Sequence, residues 1–390
     1  MRTMWDVFCS VVDNYGDVGF SWRLARALVR EHGIPVRLWI DDMQAFAVLD
    51  HDADTTAAVQ MREGVEVRAW TMPFAEVEPA EVVIEAFGCA LPETYLAAMA
   101  RKSPAPVWIN LEYLSAEDWV NGCHGLPSPH PRLPLRKHFF FPGFDERTGG
   151  LLRERGLIEA REAFQRDPQA LTAFWEQHGV PARRPDELRV SLFCYDNPAL
   201  PGLLDAWSEG PQSVTCLVPE GRAGVQIAGF FGAVEAPPGD RFERGALAVR
   251  ILPFTDQPGY DHLLWACDLN FVRGEDSFVR AQWAARPLVW HIYPQAEHAH
   301  HVKLAAFLDR YCSASAEQAE AAVATTRALH EAWNGVPGAP DIAEAWNHWQ
   351  VHAREAQNHA RIWTQMCERG PELAAALVKF AQGQVKYAAF

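Results

Sequence analysis

Trp5-Asp6-Val7-Phe8-Cys9-Ser10-Val11-Val12 is an apolar run of strand length that empties into the loop Asp13-Asn14-Tyr15-Gly16-Asp17-Val18-Gly19. Beyond it, Phe20, Leu24, Ala27 and Leu28 mark one helix face that ends at Gly33, and Val36-Arg37-Leu38-Trp39-Ile40 returns as a second strand. Strand, helix and strand in that order form a βαβ unit, which joins parallel strands. Further strands are predicted over Val65 to Trp70, Val82 to Phe87 and Pro106 to Leu111, giving the first half a doubly wound sheet. A helical, charged stretch from Leu151 to Glu187 finishes in Pro181-Ala182-Arg183-Arg184-Pro185. A new strand series follows, over 188–195, 214–218, 247–252, 269–272 and 287–292, and from Ile342 onward the pattern is helical. The expected fold class is α/β, two Rossmann-like domains facing each other across a cleft. The expected domains are 1–180 and 181–354, with the tail over 355–390 packing back onto the first.

Composition narrows the class of function. At 390 residues and 49% hydrophobic, the chain is long enough for two cores. Its formal net charge of −15 opposes the phosphates of nucleic acid, and no basic patch offsets it, so no nucleic-acid partner is expected. The same field favours a cationic group on a partner. Eight cysteines are scattered without a C-x-x-C pair, as in a reduced cytoplasmic protein. A signal-type start and an apolar run of membrane-spanning length are both missing, so no export and no membrane partner are expected. Fifteen tryptophans from Trp5 to Trp363 read mostly as packing.

In open α/β sheets ligands bind outside the carboxyl ends of strands, so the loops after strands are where chemistry belongs. The loop 13–19 carries Asp13 and Asp17 four residues apart, with Gly16 and Gly19 allowing close backbone approach. It is neither G-x-G-x-x-G nor a P-loop. Either aspartate alone also reads as a helix cap. The second loop is Phe271-Val272-Arg273-Gly274-Glu275-Asp276-Ser277-Phe278, where a buried strand becomes a helix. Unpaired N–H groups at that helix start, with Arg273 beside them, form an anion site. The plainer reading has Asp276 or Ser277 as a cap and Arg273 paired with a surface carboxylate. In the same half, Phe193 and Tyr195 close one strand, and Phe254, Gln257 and Tyr260 follow another, where aromatics could sandwich a nucleobase. Core packing is the alternative for any one of these rings. His291, His298, His300 and His301 cluster without matching Cys or paired Asp ligands and read as a surface helix, so no metal is expected.

The runs Asp13 to Gly19, Trp108-Ile109-Asn110-Leu111-Glu112-Tyr113-Leu114-Ser115-Ala116-Glu117-Asp118-Trp119, Phe139-Phe140-Phe141-Pro142-Gly143-Phe144 and Arg273 to Phe278 resemble the bacterial elongation factor P arginine rhamnosyltransferase family, across essentially the whole chain. The resemblance implies a GT-B glycosyltransferase, a dTDP-β-L-rhamnose donor held by the C-terminal domain, and an arginine of elongation factor P as acceptor. It implies Asp17 as general base, supported by Asp13, with Asn14, Tyr15 and Gly16 in the same loop, and Glu275 as a further carboxylate at the reacting centre. Phe193, Tyr195, Phe254, Gln257 and Tyr260 would surround the thymidine. Arg273, Asp276 and Ser277 would hold the diphosphate, the last two through backbone N–H and hydroxyl. At Tyr260 the family often carries Phe. No cofactor or metal is implied, and attack opposite the leaving group implies inversion. Two other readings are a GT-B enzyme with a non-protein acceptor and a non-catalytic nucleotide-sugar-binding protein.

Overall fold

The computed structural model describes residues 3–13, 15–314 and 320–388. The chain divides into two compact units, Met1–Arg155 with Arg369–Phe390, and Gly156–Glu368. The first holds strands β1 (Trp5–Cys9), β2 (Val36–Ile40), β3 (Val59–Arg62), β4 (Val65–Ala69), β5 (Val82–Ala86), β6 (Val107–Leu111), β7 (Pro127–Pro129) and β8 (Arg136–Phe140). Its helices are α1 (Gly16–His32), α2 (Met43–Leu49), α3 (Glu93–Arg101) and the single turn α4 (Val120–Cys123). The sheet order is β3-β4-β2-β1-β5-β6-β8-β7, parallel except where the short edge strands β3 and β7 pair antiparallel. The order reverses between β1 and β5, the point at which such sheets open a crevice for ligands.

The second unit opens with α5 (Leu157–Arg166) and α6 (Pro168–Gln177). There follow β9 (Leu188–Leu192), α7 (Leu200–Glu209), β10 (Val214–Pro219), α8 (Arg222–Phe231), β11 (Arg241–Arg244), β12 (Leu247–Leu252) and α9 (Gln257–Ala266). Next come β13 (Leu269–Arg273), α10 (Asp276–Trp283), β14 (Leu288–His291), α11 (Ala299–Ser313), α12 (Glu320–Trp333), α13 (Ile342–Val351) and α14 (Ala353–Arg369). The sheet order β11-β12-β10-β9-β13-β14 again reverses beside its first parallel strand, between β9 and β13. Strands β9, β10, β12 and β13 are buried along their whole length, so that even the polar Arg189 and Ser191, which alternate with apolar residues in β9, lie inside. Helix α15 (Leu373–Ala388) belongs to the first unit. No helix among the described residues is long and apolar enough to cross a membrane.

The boundaries differ from those expected. The division falls at Arg155/Gly156 and not near residue 180, because α5 and α6 are tied into the second unit: Gln165 Nε2 donates to the carbonyls of Trp265 (3.0 Å) and Ala284 (2.9 Å), and Arg161 Nη1 to that of Trp283 (3.1 Å). The return to the first unit begins at Arg369 and not at 355. Through α14, Trp363 Nε1 donates to Gln282 Oε1 (2.6 Å) and Thr364 Oγ1 to the Gln282 carbonyl (2.7 Å), holding that helix in the second unit. After Arg369 the chain meets Gly150, whose φ of 74° and proximity to Pro371 (an added Cβ would lie 1.9 Å from the carbonyl oxygen) leave no room for a side chain.

Strand β1 also stops three residues short of the expected end. Ser10 Oγ and the Val11 N–H both turn to the Asp41 carboxylate, at 2.5 and 2.9 Å, which draws the chain out of the ladder. The edge strands β3, β7 and β11 and the parallel strand β8 were not anticipated, being short, polar or proline-bearing.

Candidate active site

Helix α1 starts at Gly16, inside the stretch expected to be loop, so Asp17 lies in its first turn. The turn is closed by the Gly16 N–H donating to the Asp13 carbonyl at 2.8 Å. Gly16 is confined there, since an added Cβ would come to 3.3 Å from Asp13 Oδ2. Asp17 is 1% exposed. Its Oδ2 accepts the backbone N–H groups of Val12 and Asp13, both at 2.9 Å, and its Oδ1 accepts the Tyr113 hydroxyl at 3.1 Å. The carboxylate therefore reaches back to pin the loop and does not cap its own helix, whose N-cap residue Tyr15 makes no side-chain cap bond. Burial pushes the Asp17 carboxyl above the ordinary aspartate range and the nearby Asp13 charge adds to this, while the three hydrogen bonds oppose the rise. A buried acid with a raised pKa and no cation bonded to it among the described residues accepts a proton more readily than an exposed aspartate does.

Tyr113 follows β6 by two residues and is itself fixed. Its ring lies face to face on Phe87 (centroids 4.2 Å, 12° between planes), and Phe87 meets Phe20 of α1 at 5.4 Å. Phe87 takes a left-handed φ of 56° just past β5, where its N–H donates to the Leu111 carbonyl at 2.6 Å. Three strand ends thus converge on one carboxylate. Asn14 lies outside the described residues, and Tyr15 is half-buried in the same loop.

In the second unit Arg273 ends β13 and is 6% exposed. Its guanidinium carbon sits 4.2 Å from the Phe193 ring centroid and 4.8 Å from that of Tyr195, and Nη1 donates to the Cys194 carbonyl at 3.2 Å. Phe193 continues the β9–β13 ladder through its N–H to the Phe271 carbonyl (3.0 Å), so both rings stand where the strand order reverses. The surface ion pair considered for Arg273 is not made: no carboxylate pairs with it among the described residues. The cap considered for Ser277 is not made either. Its Oγ accepts the Arg273 N–H (3.0 Å) and donates to the Arg273 carbonyl, clasping the strand-to-helix turn, while Glu275 occupies the N-cap without a side-chain cap bond. Gly274, at φ 60°, makes the turn that carries the chain from β13 into α10.

Tyr260, on α9, meets Phe193 at 5.8 Å, and burial of its hydroxyl raises it well above the usual phenol range. Phe254 lies between β12 and α9 and Gln257 opens α9, at the same carboxyl edge of the sheet, where Asp256 caps α9 through the Gly259 N–H at 2.8 Å. Glu275 is buried and Asp276 half-buried at the start of α10. Phe193, Tyr195, Tyr260, Arg273 and Ser277 are thus joined by direct contacts. Phe254 and Gln257 share their edge, and Asp13, Tyr15, Gly16 and Asp17 form the separate junction in the first unit.

Sequence reasoning missed three contributors. Tyr113 lies within the run Trp108 to Trp119, and nothing in its spacing marks it. His291 pairs in register with Arg273 and its ring is 5.2 Å from Tyr195. Burial first, then the Arg273 charge, pushes this histidine down to about 3, so it is neutral. Arg280 and Asp261 form a buried two-bond pair (2.9 and 2.7 Å) that locks α10 to α9. The other histidines draw together more than a surface helix requires: ligand nitrogens of His298, His300 and His301 all lie within 4.8 Å of one another. Yet His300 Nδ1 already accepts the Gln295 N–H (3.0 Å), a bond its ring would surrender to ligate through that atom.

The family model for "Elongation-Factor P (EF-P) rhamnosyltransferase EarP" matches residues 5–382. A protein-arginine rhamnosyltransferase of Pseudomonas putida is 51% identical over 380 residues, 97% of this chain and 99% of that one. That of Pseudomonas aeruginosa is 50% identical over 377 residues, 96% and 98% of the two chains. A solved structure presented as the basis for EarP-mediated arginine glycosylation of translation elongation factor EF-P is 37% identical, with a TM-score of 0.68, covering 98% of this chain and 99% of that one. An α-glucosyltransferase solved with UDP and a 13-mer DNA reaches 0.51 at 8% identity and 100% coverage of both chains, a likeness of fold alone. The fold is that of GT-B glycosyltransferases, each unit Rossmann-like. Matched from its first strand to its last helix, and sharing half its residues with two rhamnosyltransferases, this chain belongs to the EarP family of elongation factor P rhamnosyltransferases.

Proposed function

We propose that this enzyme transfers L-rhamnose from dTDP-β-L-rhamnose to an arginine side chain of elongation factor P, with inversion and without a metal. The observation that carries the reading is the contrast in buried charge: an acid in one unit held by neutral donors, and an arginine in the other with no carboxylate. An arginine guanidinium has a pKa above about 12 and is a poor nucleophile, so a carboxylate must bind it, orient it and accept its proton as attack proceeds. Asp17 has the raised proton affinity this needs. Asp13 keeps it there through the backbone N–H bond, and its own charge adds to that affinity.

The sugar carbon becomes oxocarbenium-like while negative charge grows on the departing diphosphate. Arg273 offers Nε and Nη2 to that charge, with the N-terminal end of α10. Phe193, Tyr195 and Tyr260 supply flat faces for the thymine, Phe254 and Gln257 its edge, Ser277 and Asp276 the turn beneath the phosphates, and Glu275 a second carboxylate at the sugar. Attack opposite the leaving group turns the β donor into an α-rhamnosyl arginine. The protein works in the cytoplasm, where its acceptor is found.

The test is intact-mass analysis of elongation factor P after incubation with the enzyme and dTDP-β-L-rhamnose, in buffer containing EDTA. A gain of one deoxyhexose, mapped to arginine, with an α anomeric signal is expected. An unmodified acceptor alongside donor turnover on another molecule would overturn the reading.

A further inference from the structure

We infer that Tyr113 is a positioning residue that sets both the aim and the proton affinity of Asp17. This inference rests on the proposed role of Asp17 as base. The two oxygens of Asp17 are engaged differently. Oδ2 is saturated by two backbone N–H groups of its own loop, whereas Oδ1 receives one side-chain hydroxyl, leaving lone-pair capacity for a guanidinium N–H. The oxygen that meets substrate is therefore the one Tyr113 holds. Its hydrogen bond stabilises the carboxylate against the rise imposed by burial.

Tyr113 is suited to that task because its own position is over-determined. A tyrosine free to rotate would follow the carboxylate, but this ring is stacked on Phe87, and Phe87 is held at a left-handed φ by its bond to Leu111 and by Phe20 of the helix that carries Asp17. A left-handed conformation is costly for a bulky residue other than glycine and persists where the surroundings enforce it. The groups around Asp17 that can also change charge are Asp13 in its loop and Cys9 at the end of β1. Burial pushes the Cys9 thiol far up, so it stays neutral across the working range, and the Asp13 charge raises the proton affinity of Asp17. Tyr113 is left as the neutral group opposing protonation from outside the loop.

The experiment compares wild type with Tyr113→Phe, which retains the ring and its stacking. Its two readouts are the pH profile of rhamnosyl transfer and the NMR titration of the Asp17 carboxyl carbon in the absence of substrates. Without the hydroxyl, Asp17 holds its proton to higher pH, so the acid limb of kcat/KM and the carboxyl titration should both move up. At the acid end the loss should be on the order of 10-fold, fading toward alkaline pH, with the KM for donor unchanged. In an Asp17→Asn background the change should add nothing. An unmoved titration, or a loss uniform across pH, would overturn the inference. If wild type fails to modify elongation factor P, the functional reading falls while the carboxyl titration still decides whether Tyr113 tunes Asp17.

Discussion

Asp6 and Asp17 stand at opposite ends of one strand-to-helix connection, are both buried, and are treated in opposite ways. Asp6, fully enclosed at the start of β1, is neutralised by Arg37 through two bonds (2.6 and 2.5 Å) and takes further bonds from Trp39 Nε1, the Ala80 N–H and Tyr95. Asp17, at the carboxyl end, receives three bonds from neutral donors and, among the described residues, no cation. The second unit repeats the contrast with signs reversed. Arg280 is matched to Asp261, whereas Arg273, seven residues earlier, has two aromatic faces and a carbonyl. A buried charge that finds its counter-charge within the chain contributes to structure. One that is held only by neutral groups keeps its electrostatic capacity for something the chain does not supply.

The contrast can be broken most directly at Asp17. Asp17→Asn should reduce transfer by about 10²- to 10⁴-fold with donor affinity retained, measured by single-turnover assay and nucleotide titration. The same variant should melt no lower than wild type, because an acid whose folded-state pKa is raised gives up stability when it ionises. Asp6→Asn should do the reverse. Removing the buried charge opposite half-buried Arg37 should destabilise by about 3–5 kcal/mol in urea unfolding. If the two substitutions had similar effects on stability, the distinction between them would fail.

Arg273→Ala should weaken binding of the thymidine diphosphate sugar by roughly 10- to 100-fold, the value of a charge-assisted hydrogen bond, with little effect on melting. Lysine should restore only part of this, since it lacks the flat group that sits between Phe193 and Tyr195. Calorimetric titration of each variant with the donor would read both effects.

The smallest effect sharpens the sign. The Asp17 carboxyl lies above its ordinary value near 3.8, so its stabilising contribution is complete below that pH and is lost as pH rises through the folded-state value. Wild type should therefore lose stability relative to Asp17→Asn over that rise, in paired unfolding series at stepped pH. Transfer should run the other way, increasing as Asp17 ionises. An activity that climbed on acidification would contradict a carboxylate base.

Much of the scaffold was legible in the residues. The parallel strands β1, β2, β5, β6, β9, β10, β12 and β13 announce themselves because they are largely buried on both faces and apolar side chains predominate in them. Their loops follow from the rule that places ligands at carboxyl ends. The edge strands were not legible, since β7 is Pro127-Ser128-Pro129 and β11 alternates charged residues, and such strands exist only because a neighbour supplies hydrogen bonds. The unit boundary was hidden for a similar reason: Gln165, Arg161 and Trp363 choose their unit through single long-range contacts that leave no local pattern.

By itself the order of residues determined which segments become most of the strands and helices, and that Asp13, Asp17, Arg273 and Ser277 belong to the strand-to-helix connections, because periodicity and turn chemistry act over a few neighbouring positions. Tertiary structure alone decided that Tyr113, distant by 96 positions, holds Asp17, that Arg273 lies between two rings instead of against a carboxylate, and that His291 beside it is neutral. The state of a buried ionisable group depends on which remote groups surround it and how much water they exclude, and that is settled only when the chain closes on itself.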